Sequence, residues 1–226
     1  MIILTGASGG IGKEMLRGLS ELDDVIGIYN SSIPKIDISD GISLQKLNLR
    51  NEDEINLFIE KNRAVLKNIS VIHAAGTSQD SLAINHKLDE WENVIDVNLT
   101  ANFLLTKALI PLMIKQKWGR VIHFSSIRVA SGAISYATTK HGLLGMSKVL
   151  AKEYAKFNVT SNSLILGAFN TGMFQSLNER VKKEMINQIP SKNLGDVRNI
   201  VSAIKFIVDS PFVNGASIRI DGGASV

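Results

Sequence analysis

The sequence contains no cysteine, which excludes disulfides, thiolate catalysis and cysteine-ligated metal. It also lacks any Lys/Arg run interleaved with aromatic residues. The formal charge of +4, from 25 basic and 21 acidic residues, is therefore read as a mildly basic surface that attracts anionic ligands, with no nucleic-acid footprint. No apolar run approaches ~18 residues, and no basic flank or cleavage site precedes the first motif, so a soluble cytoplasmic protein without a membrane segment is expected. His73, His86, His123 and His141 have no metal-ligand spacing, and each is expected to be a core or surface histidine, with no metal site. There is no internal repeat, low-complexity tract or linker. At 226 residues, 45% of them apolar and 20% charged, the chain can bury a substantial core, and nothing suggests a second domain.

What the sequence does hold is organised around Thr5-Gly6-Ala7-Ser8-Gly9-Gly10-Ile11-Gly12. A short apolar run over 1–4 reads as a strand before it, and 13–19 reads as a helix after it. Backbone N–H groups at a helix N-terminus are unpaired and lie at the positive end of the helix dipole, so a glycine-rich turn between strand and helix can cradle a dinucleotide pyrophosphate. Gly6, Gly10 and Gly12 serve a tight turn, close approach of phosphate to backbone, and close packing of helix on strand.

Downstream, strands at 25–29, 44–49, 69–73, 120–124, 159–166 and 216–220 alternate with helices at 52–67, 88–113, 136–157, 178–188 and 196–208. Such alternation predicts an α/β fold, one doubly wound parallel sheet of Rossmann type with helices on both faces. The second strand ends in Asn30-Ser31-Ser32, with no acid to accept hydrogen bonds from an adenine ribose or to repel a 2′-phosphate, which leans toward NADP over NAD. The fourth ends in Ala74-Ala75-Gly76, small residues that leave room for a ligand above the sheet. Ser125 and Ser126 close the fifth strand. Tyr136 and Lys140 stand at i and i+4 on a helix and face the same way, and an ammonium near a phenol lowers its pKa. Such a tyrosine can exchange a proton with a carbonyl or alcohol, and a serine hydroxyl beside it can hold the substrate oxygen.

With these motifs in this order the chain resembles the short-chain dehydrogenase/reductase family, and within it 3-oxoacyl-carrier-protein reductase-like members. The resemblance runs nearly end to end: the loop Thr5 to Gly12, Asn98 in the long helix, Ser126, Tyr136 and Lys140, and the closing Asp221-Gly222-Gly223. It implies hydride transfer between NAD(P) and a carbonyl or alcohol. Tyr136 would be the acid or base, Lys140 would hold the nicotinamide ribose and keep the tyrosine pKa low, and Ser126 would orient the substrate oxygen. Asn98 would interrupt its helix to hold a water that relays protons to Lys140. The implied cofactor set is Thr5, Gly6, Ser8, Gly10, Ile11, Gly12, Asn30, Ser31, Asn48, Leu49, Ala75, Gly76, Tyr136, Lys140 and Thr171, the last able to donate to the carboxamide or phosphate.

Four departures stand out. The interval from Ser126 to Tyr136 is a few residues short, leaving Ser125 as a possible substitute. Asn48 replaces the adenine-contacting aspartate, His73 and Ala74 replace asparagines, and Leu166 replaces a proline. Residues 167–192 occupy the place of a substrate lid, with Phe169, Met173, Phe174 and Met185 as an apolar lining or as simple packing. The expectation is an NADPH-dependent carbonyl reductase acting on a small molecule, assembled as a homodimer or homotetramer through the helices at 88–113 and 136–157. The alternative is a dinucleotide-binding sensor or scaffold that has kept the fold without turnover.

Overall fold

The computed structural model describes residues 1–36 and 40–225, with all their side chains except that of Met173. Between the second and third expected strands, residues 37–39 thus fall outside the described residues, as does the side chain of Met173 in the lid. Seven parallel strands form one sheet in the order β3-β2-β1-β4-β5-β6-β7. They are β1 (Ile2–Thr5), β2 (Val25–Tyr29), β3 (Ile42–Lys46), β4 (Ser70–His73), β5 (Gly119–Ser126), β6 (Val159–Leu166) and β7 (Ser217–Ile220). The order reverses between β1 and β4, and a crevice opens above the strand ends at that reversal. The register puts Thr5 beside His73 and His73 beside His123.

The helices are α1 (Gly10–Ser20), α2 (Glu52–Asn62), α3 (Leu88–Ile95), α4 (Ala101–Gln116), α5 (Ile134–Tyr154), α6 (Gly172–Gln175), α7 (Glu179–Gln188) and α8 (Val197–Asp209). Two cores result. One face packs Leu4, Met15, Leu16, Ile72, Ile122, Ile200 and Ile204 between the sheet and α1 and α8. The other packs Ile3, Ile28, Phe58, Val71, Leu105, Leu109 and Met113 between the sheet and α2 and α4. Strands β1, β4, β5 and β6 are almost wholly buried, as expected of central parallel strands, although β6 buries the polar run Thr160-Ser161-Asn162-Ser163.

Local chemistry accounts for where several expectations shift. The third strand lies at 42–46, where it pairs with β2, and Leu47 and Leu49 after it drop into the core. Helix α2 starts where Asn51 accepts from the N–H groups of Asp53 and Glu54, with three acids in the first turn. It stops at Asn62, whose side-chain amide turns back to Phe58 O at 2.8 Å. Asn178 and Asp196 cap α7 and α8 in the same way as Asn51. The expected helix at 88–113 runs to Gln116, with a π-helical turn at Asp96–Thr100 in its middle. Contrary to expectation, Leu88–Gln116 as one rod is long and apolar enough, by length and composition, to cross a membrane. It lies against the sheet instead, with Leu105, Leu109 and Met113 fully buried and Lys107 paired with Glu52.

Candidate active site

The glycine loop leaves β1 through Gly6 at φ +70°, a conformation that L side chains seldom adopt. A Cβ there would stand 2.7 Å from the Ala75 backbone, and one on Gly12 would stand 2.2 Å from Gly6 O, so the loop, the end of β4 and α1 are packed backbone to backbone. Thr5 secures this junction. Its hydroxyl accepts from the N–H groups of Ala74 and Ala75, both at 3.1 Å, and is fully buried. The Thr5 side chain, expected at the cofactor, thus braces the loop from behind.

Helix α1 has no side-chain cap and no acid in its first turn. Among the described residues its first amides, at Gly10, Ile11 and Gly12, have no protein acceptor. Free donors at the positive end of a helix, beside exposed Ser8 and Gly9, fit a pyrophosphate. Gly10 has a second reason to lack a side chain: a Cβ would meet Gly172 N at 2.6 Å and Thr171 Cβ at 3.1 Å. The segment after β6 therefore rests directly on the loop and brings Thr171 to it. Phe169 does not line a cleft. It is buried in the α1/α8 core with its ring against Gly195, so it anchors this segment, as packing required.

At the other end of the crevice, Asn98 is fully buried in the π-helical turn. Its Oδ1 accepts from Thr77 N at 2.8 Å, and its Nδ2 donates to Thr77 O at 2.9 Å and to Thr139 Oγ1 at 3.1 Å. The side chain is thus fully committed to clamping the loop after β4, which leaves the backbone carbonyl for any water, and that carbonyl accepts from Asn102 Nδ2 at 2.9 Å. Thr139 in turn donates to Tyr136 O at 2.7 Å, tying the π-helical turn to α5.

Lys140 is buried and donates from Nζ to Phe124 O at 2.9 Å. Burial lowers its pKa to about 8. A Cβ on Gly76 would stand 3.3 Å from Lys140 Nζ and 3.4 Å from Asn98 Oδ1, so the absent side chain leaves both groups facing the crevice. The two serines separate clearly. Ser125 is buried and donates to Lys140 O at 2.7 Å, whereas Ser126 is half-buried and accepts from Arg128 N at 3.1 Å. Ser126 is also the hydroxyl that acts on Tyr136.

Tyr136 departs from expectation. Burial raises its pKa, and the groups that oppose this are the Ser126 hydroxyl and the Arg128 guanidinium, with Lys140 not among them. Helical spacing brought Lys140 Nζ to 5.6 Å from the ring centroid, but the ammonium turns to Phe124 O.

Behind Lys140 lie His73 and His123, stacked with centroids 5.0 Å apart and both fully buried. Burial and the Lys140 charge hold His123 down at about 3. Burial, followed by the repulsion a second imidazolium at His123 would exert, holds His73 well below its ordinary value. Both are therefore neutral, and His73 Nε2 lies 2.8 Å from Thr106 Oγ1. No cluster of metal-ligating residues occurs among the described residues.

The profile of the family described as short chain dehydrogenase matches residues 1–182. The chain belongs to that family. It is 33% identical over 231 residues to a 3-oxoacyl-[acyl-carrier-protein] reductase of Rickettsia felis, covering 98% of this chain and 95% of that one. It is 30% identical over 235 residues to nodulation protein G of Rhizobium sp. (strain N33), covering 99% and 96%. Its fold matches the crystal structure of a protein described as a gluconate dehydrogenase from Agrobacterium tumefaciens, with a TM-score of 0.91 at 22% identity over 100% and 95% of the two chains. This short-chain dehydrogenase is an NAD(P)-dependent oxidoreductase.

The structure brings Asn98, Ser126, Tyr136, Lys140, Ala75 and Gly76 together at the strand ends, and Gly6, Gly10, Ile11, Gly12 and Thr171 at the start of α1. It leaves Asn30 and Ser31 exposed beyond β2. Leu49 is a core residue, so only its backbone is left to face a ligand, and Asn48 uses its Oδ1 to accept from Arg50 N at 3.2 Å. Reading the sequence missed Thr77, Thr139, Gly172, Arg128 and Asp80. Only Arg128 carried a signal, as the one charged residue between Ser126 and Tyr136.

Proposed function

We propose that this dehydrogenase is an NADPH-dependent reductase of a carbonyl in a 3-oxoacyl-like small molecule. The observation that carries this reading is the convergence of Ser126, Tyr136 and Lys140 at the strand ends, in a crevice that continues to the uncapped start of α1. The Gly10–Gly12 amides with Thr171 would hold the pyrophosphate, Ala75 and Gly76 would border the nicotinamide, and Lys140 would hold its ribose. Asn30, Ser31 and Asn48 would meet the adenine end, where the absence of an acid favours NADP. The bound nicotinamide supplies the hydride in reduction and accepts it in oxidation.

The rest of the work belongs to the chain. Ser126 Oγ donates to the substrate carbonyl oxygen and fixes it beside Tyr136. Tyr136 Oη gives its proton to that oxygen as the carbon is reduced, and takes it back from the alcohol in the reverse direction. The Ser126 hydroxyl and the Arg128 guanidinium favour the phenolate that proton loss leaves, while buried Lys140 is left to position the ribose. Residues 167–192, resting on Gly10 and anchored by Phe169, would act as the lid of a single 1–226 domain. Exposed Phe103 on α4 and Ile134 and Val149 on α5 suit these helices to a homodimer or homotetramer interface, which sedimentation would report as a mass above the 24.6 kDa of one chain.

The test mixes the protein with NADPH or NADH and a panel of ketones, acyl thioesters and keto sugars, beside Tyr136→Phe. NADPH should bind more tightly than NADH, and Tyr136→Phe should lose at least ~100-fold in turnover with cofactor binding kept. Cofactor binding with no turnover that depends on Tyr136 would instead support a binding protein.

A further inference from the structure

We propose that Arg128 is the specificity-determining residue of this site: it receives a carboxylate carried by the carbonyl substrate, and Asp80 holds that place when substrate is absent. This rests on the reading of Tyr136 as the proton donor. Arg128 is fixed to both residues that would grip the carbonyl oxygen. Its backbone N–H donates to Ser126 Oγ at 3.1 Å, and its guanidinium carbon lies 5.6 Å from the Tyr136 ring centroid. An acid group a few bonds from the carbonyl falls within reach of that guanidinium.

The guanidinium already displays how it would bind such a group. Nη1 donates to Asp80 Oδ1 at 3.2 Å while Nη2 pairs with Oδ2, a two-pronged grip on a carboxylate. The partner comes from a different loop, and the two loops are joined. Ser81 N donates to Gly132 O at 2.9 Å and Ser81 bridges to Ala133, while Asn98 clamps Thr77 earlier in the same loop. The fork of Arg128 is thus held on a rigid frame at the mouth of the crevice.

The pair is not needed for stability. Its side chains are 33% and 51% exposed, and exposed ion pairs contribute little. Exposure also makes exchange easy. A substrate carboxylate takes over the same two donors while Asp80 moves into water, so one charge-assisted pair replaces another of equal kind. An ester of the same shape has no charge to offer and must leave the pair closed or break it without a replacement. The groups facing Tyr136 are Ser126 from the end of β5, Arg128 from the loop after it, Asp80 from the loop after β4 and Lys140 from α5. Arg128 is the cation among them nearest solvent, since Lys140 is buried.

The experiment measures kcat and KM for 2-oxobutanoate, acetoacetate and levulinate, each beside its methyl ester. Wild type is compared with Arg128→Gln, Arg128→Lys and Asp80→Asn. Wild type should favour at least one acid over its ester by ~10-fold or more in kcat/KM, as expected where a site is built around a polar group. Arg128→Gln should erase that preference by raising KM for the acid alone, while any change it causes through Tyr136 falls on kcat for acid and ester together. Arg128→Lys, with the charge but not the fork, should restore only part of it. Asp80→Asn, lacking the resident competitor, should lower KM for the acid. The same acids are titrated by calorimetry into the protein loaded with oxidised cofactor, which decides the matter without turnover. A ratio near one for all three acids, no acid binding, or acid binding indifferent to Arg128→Gln overturns the proposal. An equal fall for acid and ester in Arg128→Gln, with no rise in KM for the acid alone, does so too, since it marks a structural latch. Loss of Tyr136-dependent ester turnover speaks only against the catalytic reading.

Discussion

The two ends of the crevice are built to different standards. At the Tyr136 end, Asn98, Ser125, Thr139 and Lys140 are each 0–5% exposed and tied by hydrogen bonds to the backbone of another element or to one another. At the far end, Ser8, Asn30 and Ser31 are exposed, and among the described residues their side chains have no protein partner. Proton transfer requires groups held in place in a medium of low dielectric, because dipoles that need not reorganise stabilise developing charge best. Recognition of an adenosine needs only a few surface groups. Substitutions at the two ends should accordingly change different properties.

The sharpest break in that contrast comes from Lys140→Met. Turnover should fall by ~1,000-fold, since the buried ammonium proposed to hold the nicotinamide ribose in place for hydride transfer is removed. Stability should not fall with it. Burial has pulled the Lys140 pKa down to about 8, a sign that the buried charge strains the fold. An apolar side chain of similar length should leave the protein as stable or about 1 kcal/mol more so, the relief of desolvation being partly offset by the lost bond to Phe124 O. Turnover assays beside thermal melts decide it, and a variant both inactive and markedly less stable would show that Lys140 holds the fold together.

Gly10 lies where the glycine loop meets the segment after β6, and Gly10→Ala should disturb that contact. Its Cβ would strike Gly172 N and Cα at 2.6 and 2.8 Å, backbone atoms that cannot swing aside. The expected cost is about 1–3 kcal/mol, with weaker cofactor binding as the lid lifts from the loop. Gly9→Ala is the control, because its Cβ would meet only Gly6 O, at 3.2 Å. Equal melting temperatures for the two variants would refute the contact.

The dense end should also be the acid-sensitive one. His123 is held at about 3 by burial and the Lys140 charge, and His73 is displaced in the same direction. The folded protein keeps these rings neutral while the unfolded chain takes up protons below its ordinary value of about 6.5. Stability is therefore complete above that pH and is lost as pH falls from 6.5 toward 3. At pH 5 the share of His123 alone is about 2 kcal/mol. Denaturant melts between pH 8 and 5 should show this slope, and His123→Asn should flatten it.

How much of this could be read from the sequence follows the same divide. Buried strands and amphipathic helices announce themselves, so a single parallel sheet covered on both faces was legible. Asn51, Asn178 and Asp196 marked helix starts by chemistry that acts over two or three residues. The catalytic end depends on contacts between distant segments. Asn98 reads as an oddity in a helix, but that its amide is spent on Thr77 and Thr139 shows only once α5 and the loop after β4 meet it. Ser125 and Ser126 could not be told apart because neighbours on a strand point to opposite faces, and only the position of α5 says which face is which. The i, i+4 spacing of Tyr136 and Lys140 fixed nearness without fixing where the ammonium points, so the expected fall in the tyrosine pKa did not follow. Asn98, with its amide spent on the fold, does not separate an enzyme from a binding protein, so Ser126, Tyr136 and Lys140 carry that distinction.

The smallest effect belongs to the sparse end. Ser31→Asp places a carboxylate at the tip of β2, where it can accept from ribose hydroxyls and repel a 2′-phosphate. Ser31 is exposed and, among the described residues, unpartnered, so the substitution should leave the melting temperature unchanged. Between exposed charges in water the repulsion is about 1 kcal/mol. The ratio of NADPH to NADH affinity should therefore fall by ~5–10-fold, measured by fluorescence titration of both cofactors. A ratio that does not move would place the 2′-phosphate away from β2, and a wild type that already prefers NADH would overturn the argument from the missing acid. A large loss of stability would show instead that this end is packed as closely as the other, and the division of labour across the crevice would have to be abandoned.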